Sequence, residues 1–356
     1  IMPSLVGSEM CIRDSNGEEV YAVVDLNEAN PKPKVFASAG EFREAGDRTV
    51  GSYRWVGNDH VVFQLVSREN FFGQRADIGR LVGYNVNTGE AEPLAWRDAG
   101  ANASRILHVD HETGKFLLER YNRGYPSGAD QRRPEVVEVD VATGRFTRVQ
   151  RPNLIVGGWS ADGDGVVRAG YSYDGDTGEE KFLYRSGDSG NFKTVQETVD
   201  ENFTGEGIRP QIYLDEPDMA IATSNHDGYT RVYKVNLASM DIVEELFRME
   251  GYDVDGVMAN KDGNELTAVY YRTDRAGRTY FDPFLKTVQE TVLDDSFGAG
   301  NAQIVSTSDD NKSMIIQVSD TSQLGGYYFY DTVTGDFKTV GWTNNAPFND
   351  AANNPF

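Results

Sequence analysis

The sequence predicts an all-β fold, a β-propeller of about seven four-stranded blades in which the first blade is incomplete. Three observations support this prediction. Pairs of strand-like segments recur about every 50 residues, which is the length of one four-stranded blade. The 37 glycines outnumber the 12 prolines without a Gly-X-Y period, as expected for tight turns between short strands. Hydrophobic residues make up 39% of the chain, which is enough to bury a core.

The outer strands of the blades are predicted from seven segments in which two strand-like runs flank a short polar turn. These segments are Val20–Phe36, Leu81–Ala95, Val136–Val149, Lys181–Val195, Arg231–Leu246, roughly Thr279–Val288 and Tyr327–Val340. Several turns contain Thr-Gly, as at Gly89 and Gly144, and glycine takes the positive φ that a tight hairpin needs. The heptapeptide KTVQETV occurs at both Lys193–Val199 and Lys286–Val292, which indicates that the repeats are related.

The inner strands are predicted from a second type of hairpin, which precedes every outer pair except the first. These hairpins are Ser52–Gln64, Ser104–Glu119, Ile155–Gly170, Arg209–Ser224, Gly256–Tyr271 and Gln303–Val318. Six inner pairs accompany seven outer pairs, so we expect the first blade to lack its inner strands. A tandem of β-sandwiches is the alternative fold, and the Gly-His…Trp-Asp pattern of WD40 blades is absent from the sequence.

The termini are expected to lie outside the propeller. Residues Ile1–Ser15 are typical of translated sequencing-adapter read-through in assembled environmental sequences, so we exclude them from the fold as a non-native segment; a real N-terminal strand is the alternative interpretation. We expect the propeller over residues 16–341 and the start of a linker to a missing C-terminal domain over residues 342–356. The only cysteine, Cys11, lies in the excluded segment. The chain starts at Ile1, so we expect its true N-terminus upstream, which leaves periplasmic, secreted and cytoplasmic locations open.

The long loops are expected to form the functional face of the propeller. When the strands of a blade are named a to d in chain order, the a–b and c–d turns emerge at one end and the b–c and d–a connections at the other. The long insertions belong to the second class: Val66–Arg80, Arg120–Pro134 and Tyr171–Glu180 are predicted b–c loops, and Ala37–Val50 and Asp200–Gly207 are predicted d–a loops. Long loops on a rigid scaffold commonly carry binding residues.

The charge of the chain excludes two classes of partner. The formal net charge is -22, which repels the phosphate backbone of nucleic acids and anionic lipid surfaces. No apolar run approaches the roughly 18 residues that span a bilayer. We therefore expect no nucleic-acid and no membrane partner.

The sequence contains no recognisable catalytic or cofactor-binding motif. A Gly-x-Ser-x-Gly nucleophile motif is absent, and the four histidines form no HExxH pattern. The acidic run Asp174–Glu180 lacks the glycine and the final glutamate of an EF-hand loop, so a solvated loop is preferred to a calcium site. We therefore assign no catalytic residue, no metal ligand and no cofactor within this chain.

Three arginines are the candidate substrate-binding residues. Arg75, Arg120 and Arg123 fall in the predicted b–c loops, and their guanidinium groups could grip a peptide carbonyl or carboxylate. Local surface ion pairing is the alternative interpretation of these side chains. Carboxylate pairs of a carbohydrate-cleaving propeller are defined by their separation in space, so that function also stays open.

Particular runs of the sequence resemble the N-terminal propeller of serine peptidases of the prolyl oligopeptidase family. These runs are Tyr53–Phe63 (YRWVGNDHVVF), Arg80–Gly89 (RLVGYNVNTG), Gly158–Arg168 (GWSADGDGVVR), Lys181–Arg185 (KFLYR) and Gln303–Tyr330, which ends in GGYYFY. The resemblance extends from Asn16 to Val340. TolB-like propellers share the Trp-Ser-x-Asp-Gly type of turn.

The resemblance implies a non-catalytic propeller that caps the active site of a serine peptidase, admitting short peptides and excluding folded proteins. The α/β-hydrolase domain of that family, with its catalytic serine, aspartate and histidine, has no counterpart in these residues. The expected partners are therefore short peptides and the missing hydrolase domain. A stand-alone TolB-like propeller that acts as a protein-interaction module is the alternative function, because a fold alone does not determine function.

Overall fold

The structure is a computed structural model that describes residues 11–13, 19–26, 34–38, 48–71, 74–199, 207–308, 310–319 and 325–342. An N-terminal sheet contains β1 (Cys11–Arg13), β2 (Glu19–Val23) and β3 (Lys34–Ser38) in that order. Blade 1 contains β4 (Arg48–Val56), β5 (His60–Phe71), β6 (Gln74–Asn85) and β7 (Ala91–Leu94), and the short β8 (Asn102–Ala103) pairs in parallel with β6.

The next three sheets are four-stranded antiparallel blades whose strands pair in chain order. Blade 2 contains β9 (Arg105–Asp110), β10 (Lys115–Tyr121), β11 (Pro134–Asp140) and β12 (Phe146–Gln150), with the short helix α1 (Gly128–Gln131) between β10 and β11. Blade 3 contains β13 (Gly158–Ala161), β14 (Val167–Tyr173), β15 (Glu179–Tyr184) and β16 (Lys193–Val199). Blade 4 contains β17 (Arg209–Tyr213), β18 (Met219–Ser224), β19 (Arg231–Asn236) and β20 (Asp241–Phe247).

The last two blades are separated by a helical segment. Blade 5 contains β21 (Val254–Ala259), β22 (Leu266–Arg272) and β23 (Ala276–Tyr280). The helix α2 (Pro283–Val288), a π-helix (Gln289–Leu293) and the helix α3 (Asp294–Phe297) follow. Blade 6 contains β24 (Ala302–Thr307), β25 (Ser313–Val318), β26 (Gly326–Asp331) and β27 (Phe337–Trp342).

The chain divides into two compact units. Unit 1 comprises Ile1–Arg68, Tyr84–Ala91 and Pro283–Phe356, and unit 2 comprises Glu69–Gly83 and Glu92–Asp282. Unit 1 therefore holds the N-terminal sheet, the helical segment and blade 6, whereas unit 2 holds blades 2 to 5.

The core of unit 2 lies between successive blades. Trp159 at the start of blade 3 is fully buried with Leu117 and Val136 of blade 2, and its indole N–H donates to the carbonyl of Pro134 at 2.8 Å. Similar apolar clusters form between blades 3 and 4, around Tyr184 and Tyr233, and between blades 4 and 5. Because the faces of each sheet are covered by neighbouring sheets, the inner strands are rich in Val, Ile, Leu and Ala.

Aromatic contacts pack the N-terminal sheet against blade 1, and others pack neighbouring strands of blade 6. The ring of Phe36 lies 5.6 Å from that of Phe63 and 5.1 Å from that of Tyr84, measured between centroids. At the other end of the chain, Phe337 stacks on Tyr330 at 4.5 Å. Such pairs add packing energy beyond the area that they bury.

Five hairpin turns share one hydrogen-bond pattern. The first residue, Asp or Asn, accepts with its side-chain oxygen from the backbone N–H of the threonine three positions later, and the fifth residue is a glycine of positive φ whose N–H donates to the carbonyl of the first. The turns run from Asn85 to Gly89, Asp110 to Gly114, Asp140 to Gly144, Asp174 to Gly178 and Asp331 to Gly335. The Thr-Gly turns predicted from sequence are thus confirmed, because glycine tolerates this backbone conformation.

The all-β propeller is confirmed, but the blade count is six rather than seven. The first predicted half-blade is instead the three-stranded N-terminal sheet, in which β1 pairs with β2 through Cys11 and Tyr21. Cys11–Arg13, which the sequence analysis excluded from the fold, therefore form a strand of this sheet, while the adapter origin of residues 1–15 stays a prediction. Residues 343–356 lie outside the described part of the chain.

Two further predictions about local structure are wrong. The outer pair predicted at Thr279–Val288 is one strand, β23, followed by helix α2. The predicted loop Val66–Arg80 is instead formed by the ends of β5 and β6. That segment contains Arg68, Glu69, Arg75, Asp77 and Arg80, and it lacks the regular alternation of apolar and polar residues that signals a half-buried strand.

Within the described residues, no helix is both long and apolar enough to cross a membrane.

Candidate functional site: the loop face of unit 2

The b–c and d–a connections of blades 2 to 5 lie at the same end of their strands. We call this end the loop face of unit 2. Its described b–c connections are residues 122–133, 174–178, 225–230 and 273–275, and its described d–a connections include residues 95–101, 151–157 and 248–253. The predicted long loop Arg120–Pro134 is confirmed as residues 122–133, whereas the strands leave only a short turn within Tyr171–Glu180. Most of Ala37–Val50 and Asp200–Gly207 lies outside the described residues.

Exposed aromatic side chains of unit 2 concentrate on the loop face. Between 37% and 54% of each side chain is exposed at Trp96, Tyr171, Tyr173, Tyr229 and Tyr252, all of which lie in or beside these connections. Phe281, which follows the c strand of blade 5, is the comparable exposed aromatic residue at the opposite end among the described residues of unit 2. Tyrosine, tryptophan and arginine are the residues enriched at the centres of protein interfaces.

The three predicted arginines have different environments. Arg75 is exposed on β6, and Arg123 is exposed in the loop of residues 122–133, where its backbone N–H donates to the carbonyl of Asp98 at 2.8 Å. Burial lowers the pKa of Arg80, and the neighbouring positive charges of Arg123 and Arg120 lower it further, against the opposing effect of Glu69. Arg80 on β6, Arg120 on β10 and Arg123 therefore lie close enough for their charges to interact; the sequence analysis had not included Arg80.

Arg120 is an internal residue rather than a loop residue. It lies on β10, only 2% of it is exposed, and its Nε donates to Glu135 Oε1 at 3.0 Å. Its Nη1 donates to the carbonyls of Ala95 at 2.6 Å and Arg97 at 2.9 Å. The ion-pairing interpretation therefore describes Arg120 better than substrate contact, although the pair is buried and not at the surface.

Glu135 holds the loop of residues 122–133 in place. Its carboxylate, 1% exposed, accepts from Asn122 Nδ2 at 2.8 Å and from the hydroxyl of Tyr125 at 2.7 Å. Burial and the bond to Glu135 raise the pKa of Tyr125. The side chain of Gln131 donates to the carbonyl of Tyr125 at 2.7 Å. The loop is therefore hydrogen-bonded to the buried carboxylate of Glu135, and Arg123 lies between the two residues that make these bonds.

A second buried carboxylate links blades 2 and 3 at the same face. Glu119 accepts from Arg105 Nη1 at 2.9 Å and from the backbone N–H of Trp159 at 2.5 Å. Burial alone would lower the pKa of Arg105, but the charge and hydrogen bond of Glu119 outweigh it and raise that pKa. The Arg105 guanidinium lies 5.6 Å from the ring centre of the exposed Tyr171. This cluster escaped the sequence analysis because Arg105 and Glu119 meet only through strand register.

Among the described serines, Ser224 contacts a histidine and Ser160 contacts a tyrosine. Ser224 is buried, and its hydroxyl oxygen lies 3.3 Å from His226 Nδ1, so it cannot reach a substrate as a nucleophile. Ser160 lies in β13 and is bonded to the hydroxyl of Tyr213 at 2.5 Å. Among the described residues, no group of three or more His, Cys, Asp or Glu side chains is placed to hold a metal ion. The carboxylate of Asp174 accepts hydrogen bonds from the backbone N–H groups of Asp176 and Thr177 in its own turn.

Comparison with known proteins supports the fold. No protein-family model matches the chain, and no curated protein matches it. A solved prolyl endopeptidase, studied for the role of inter-domain dynamics in catalysis and specificity, is similar with a TM-score of 0.56 and 14% identity, over 91% of this chain and 46% of that chain. Prolyl oligopeptidase B from Galerina marginata is similar with a TM-score of 0.52 and 12% identity, over 88% of this chain and 45% of that one.

This chain spans less than half the length of those solved proteins. At such identities the likeness concerns the fold. It confirms the propeller that the sequence resemblance implied, and this chain has the β-propeller fold found in peptidases of the prolyl oligopeptidase family.

Proposed function

We propose that this chain is the non-catalytic, substrate-selecting propeller of a serine peptidase of the prolyl oligopeptidase type, whose α/β-hydrolase domain supplies the catalytic residues. The observation that carries the proposal is the concentration of exposed aromatic side chains and arginines on the loop face of unit 2. A face of this composition suits a peptide or protein partner. The propeller fold shared with prolyl endopeptidases supports the same proposal.

The loop face would select peptides by two kinds of contact. The rings of Tyr171 and Tyr173 offer apolar surface with little conformational entropy to lose, and Arg123 offers donors for a peptide carbonyl or terminal carboxylate. Arg75, on β6 of blade 1, is exposed and would offer further donors. The net charge of -22 acts over a longer range and favours the approach of cationic peptides at low salt. Gating, in which short peptides are admitted and folded proteins are excluded, is the part of this proposal that the sequence resemblance implies.

A stand-alone interaction module is the second candidate function. The same aromatic and arginine residues would equally serve a protein partner, which is why the loop face alone does not distinguish the two functions. The reading frame of the gene beyond Phe356 distinguishes them. A frame that encodes Gly-x-Ser-x-Gly within an α/β-hydrolase pattern supports the peptidase, and a frame without it contradicts the peptidase parentage.

The peptide-binding role can be tested on the chain itself by fluorescence anisotropy with labelled tetrapeptides of different charge. We expect cationic peptides to bind more tightly than anionic ones and salt to reduce the difference. Tyr173→Ser and Arg123→Gln should each weaken binding about tenfold, the effect of one interface contact. Val243→Ser is the control, since it removes an exposed apolar side chain near the start of β20, at the end opposite to the loop face. An equal loss in the control would contradict the proposal.

The non-catalytic role is tested with a serine-directed phosphonate probe. We expect no labelling of this chain and labelling of the complete gene product, because acyl transfer needs a nucleophile, a base and an oxyanion hole together. Labelling of this chain alone would overturn the assignment.

A further inference from the structure

One heptapeptide adopts two secondary structures in this chain. KTVQETV at Lys193–Val199 is β16, the fourth strand of blade 3, where it pairs with β15. The identical KTVQETV at Lys286–Val292 lies in α2 and the π-helix, directly after blade 5. The amino-acid sequence of the segment therefore does not determine its conformation, and its surroundings do.

The helical copy occupies the chain position of a fourth strand. Blade 5 has three strands in the described part of the chain, ending at β23. Residues 281–285 connect β23 to the heptapeptide, and residues 141–145, a connection of the same length, join the third and fourth strands of blade 2. Nine residues, 293–301, separate the helical copy from the next blade, and nine residues, 200–208, separate the strand copy from the blade that follows it. Both copies thus hold the same place between blades.

The helical copy is poorly suited to a helix. Four of its seven residues are β-branched, and such residues favour strands over helices. The hydroxyls of Thr287 and Thr291 donate to the carbonyls four residues earlier, Pro283 and Thr287, at 2.8 Å each, a bond that weakens and bends helices. Four of its seven residues lie in a π-helix, an irregular form that is rare and often functional.

Tertiary contacts rather than local preference stabilise the helix. Leu285, Val288 and Leu293 are buried on one side of the helical segment. Gln289 Nε2 donates to the carbonyl of Ala302 at 3.0 Å and to Asp294 Oδ1 at 2.9 Å. These contacts would be lost if the segment became the fourth strand of blade 5. Their free energy therefore favours the helix, whereas the free energy of strand pairing favours the strand.

We propose that Lys286–Val292 is a latent fourth strand of blade 5, which exchanges between the helix and an antiparallel strand paired with β23. The register follows from blade 3. There Ala169 pairs with Tyr184 and Tyr184 pairs with Lys193. In blade 5 Ala268 pairs with Tyr280. Tyr280 therefore pairs with Lys286 in the strand state, and Ala276 pairs with Thr291, as Glu180 pairs with Thr198 in blade 3.

The exchange determines whether the outer edge of β23 can pair with another strand. In the helical state β23 is the last strand of its sheet among the described residues, and an outer edge of this kind can pair with another strand. In the strand state the chain's own heptapeptide occupies that edge and blade 5 becomes four-stranded. The two states therefore differ in the ability of blade 5 to accept a strand.

A disulfide trap tests the exchange. In a Cys11→Ser background, Ala276→Cys with Thr291→Cys places cysteines at paired positions of the strand state only, and Glu180→Cys with Thr198→Cys is the matched pair in blade 3. After mild oxidation, peptide mapping by mass spectrometry should find the intrachain 276–291 disulfide, formed more slowly than the 180–198 disulfide. Absence of the first with complete formation of the second would overturn the proposal, as would a 276–291 link found only between two chains.

A second variant tests the direction of the equilibrium. Thr287→Ala added to the 276–291 pair raises helix propensity and removes one hydroxyl–carbonyl bond, so the disulfide should form about threefold more slowly. Thr194→Ala added to the 180–198 pair should leave that disulfide forming at its original rate, because β16 is already a strand. An unchanged or faster rate with Thr287→Ala would contradict a helix-to-strand exchange.

Discussion

The buried pair of Arg120 and Glu135 allows a quantitative test of how the loop of residues 122–133 is held. The two residues are cross-strand partners on β10 and β11, and their side chains are 2% and 1% exposed. Arg120→Met would leave the Glu135 carboxylate buried with the donors of Asn122 and Tyr125 but without a positive charge. It would also remove the donors that serve the carbonyls of Ala95 and Arg97.

The expected cost follows from the charge that is left unpaired. Breaking a buried ion pair by removing one partner costs about 3–5 kcal/mol of unfolding free energy. Arg120→Met combined with Glu135→Gln should cost about 2 kcal/mol less than Arg120→Met alone, because the amide leaves no buried charge, its oxygen still accepts from Asn122 Nδ2, and its NH2 group can donate to the hydroxyl oxygen of Tyr125. The double variant is therefore expected to be more stable than the single one.

Guanidinium chloride unfolding followed by tryptophan fluorescence measures the loss of unfolding free energy in the single variant and in the double variant. Lys115→Met in the same blade is the matched control, because Lys115 pairs with Glu138 at 3.0 Å at the surface and its removal should leave the unfolding midpoint nearly unchanged. If Arg120→Met falls within about 1 kcal/mol of the original protein, or if the double variant is less stable than the single one, the burial argument fails.

Two further predictions concern a close backbone approach and a carboxylate. A Cβ at Gly163 would collide with the backbone carbonyl oxygen of Asp262, so Gly163→Ala should cost about 1–3 kcal/mol in denaturant unfolding; Gly256→Ala, where a Cβ meets no atom within 4 Å, should cost less. Hydrogen bonds from Lys312 and Ser308 lower the pKa of Asp310 to about 2. Because this pKa is below the value of about 3.9 in unfolded chains, the ionised carboxylate stabilises the fold above pH 4 and this contribution is lost as the pH falls through 2. NMR titration should find Asp310 still ionised at pH 3, and a midpoint near 4 would contradict the assignment.

Much of the fold could be predicted because its signals are local. The inner hairpins alternate in hydrophobicity and end in short turns, and the turns at Gly89, Gly144 and Gly335 need only a glycine and a side-chain acceptor within five residues. The candidate site was less predictable. Arg123 was placed in the correct loop, but Arg120 was not, because the end of β10 depends on its pairing with β11 rather than on the residues of β10 themselves.

The cluster of Arg105, Glu119 and Tyr171 could not be predicted from the sequence for the same reason. Its members come from three strands in two blades, and the contact with the backbone of Trp159 depends on how blade 3 packs on blade 2. Strand register and blade packing are non-local, so no short sequence pattern signals them.

The sequence by itself determined the all-β class, the repeat of about 50 residues, the positions of most strands and the chemistry of the turns. The tertiary structure alone decided which charged groups are buried in pairs and which of two KTVQETV segments is a strand. The physical reason is that local propensities differ by less than about 1 kcal/mol per residue, whereas burial of side chains such as Leu285 and Leu293 contributes about 1.5–3 kcal/mol each. At Lys286–Val292 burial in the fold therefore outweighs a strand-favouring sequence.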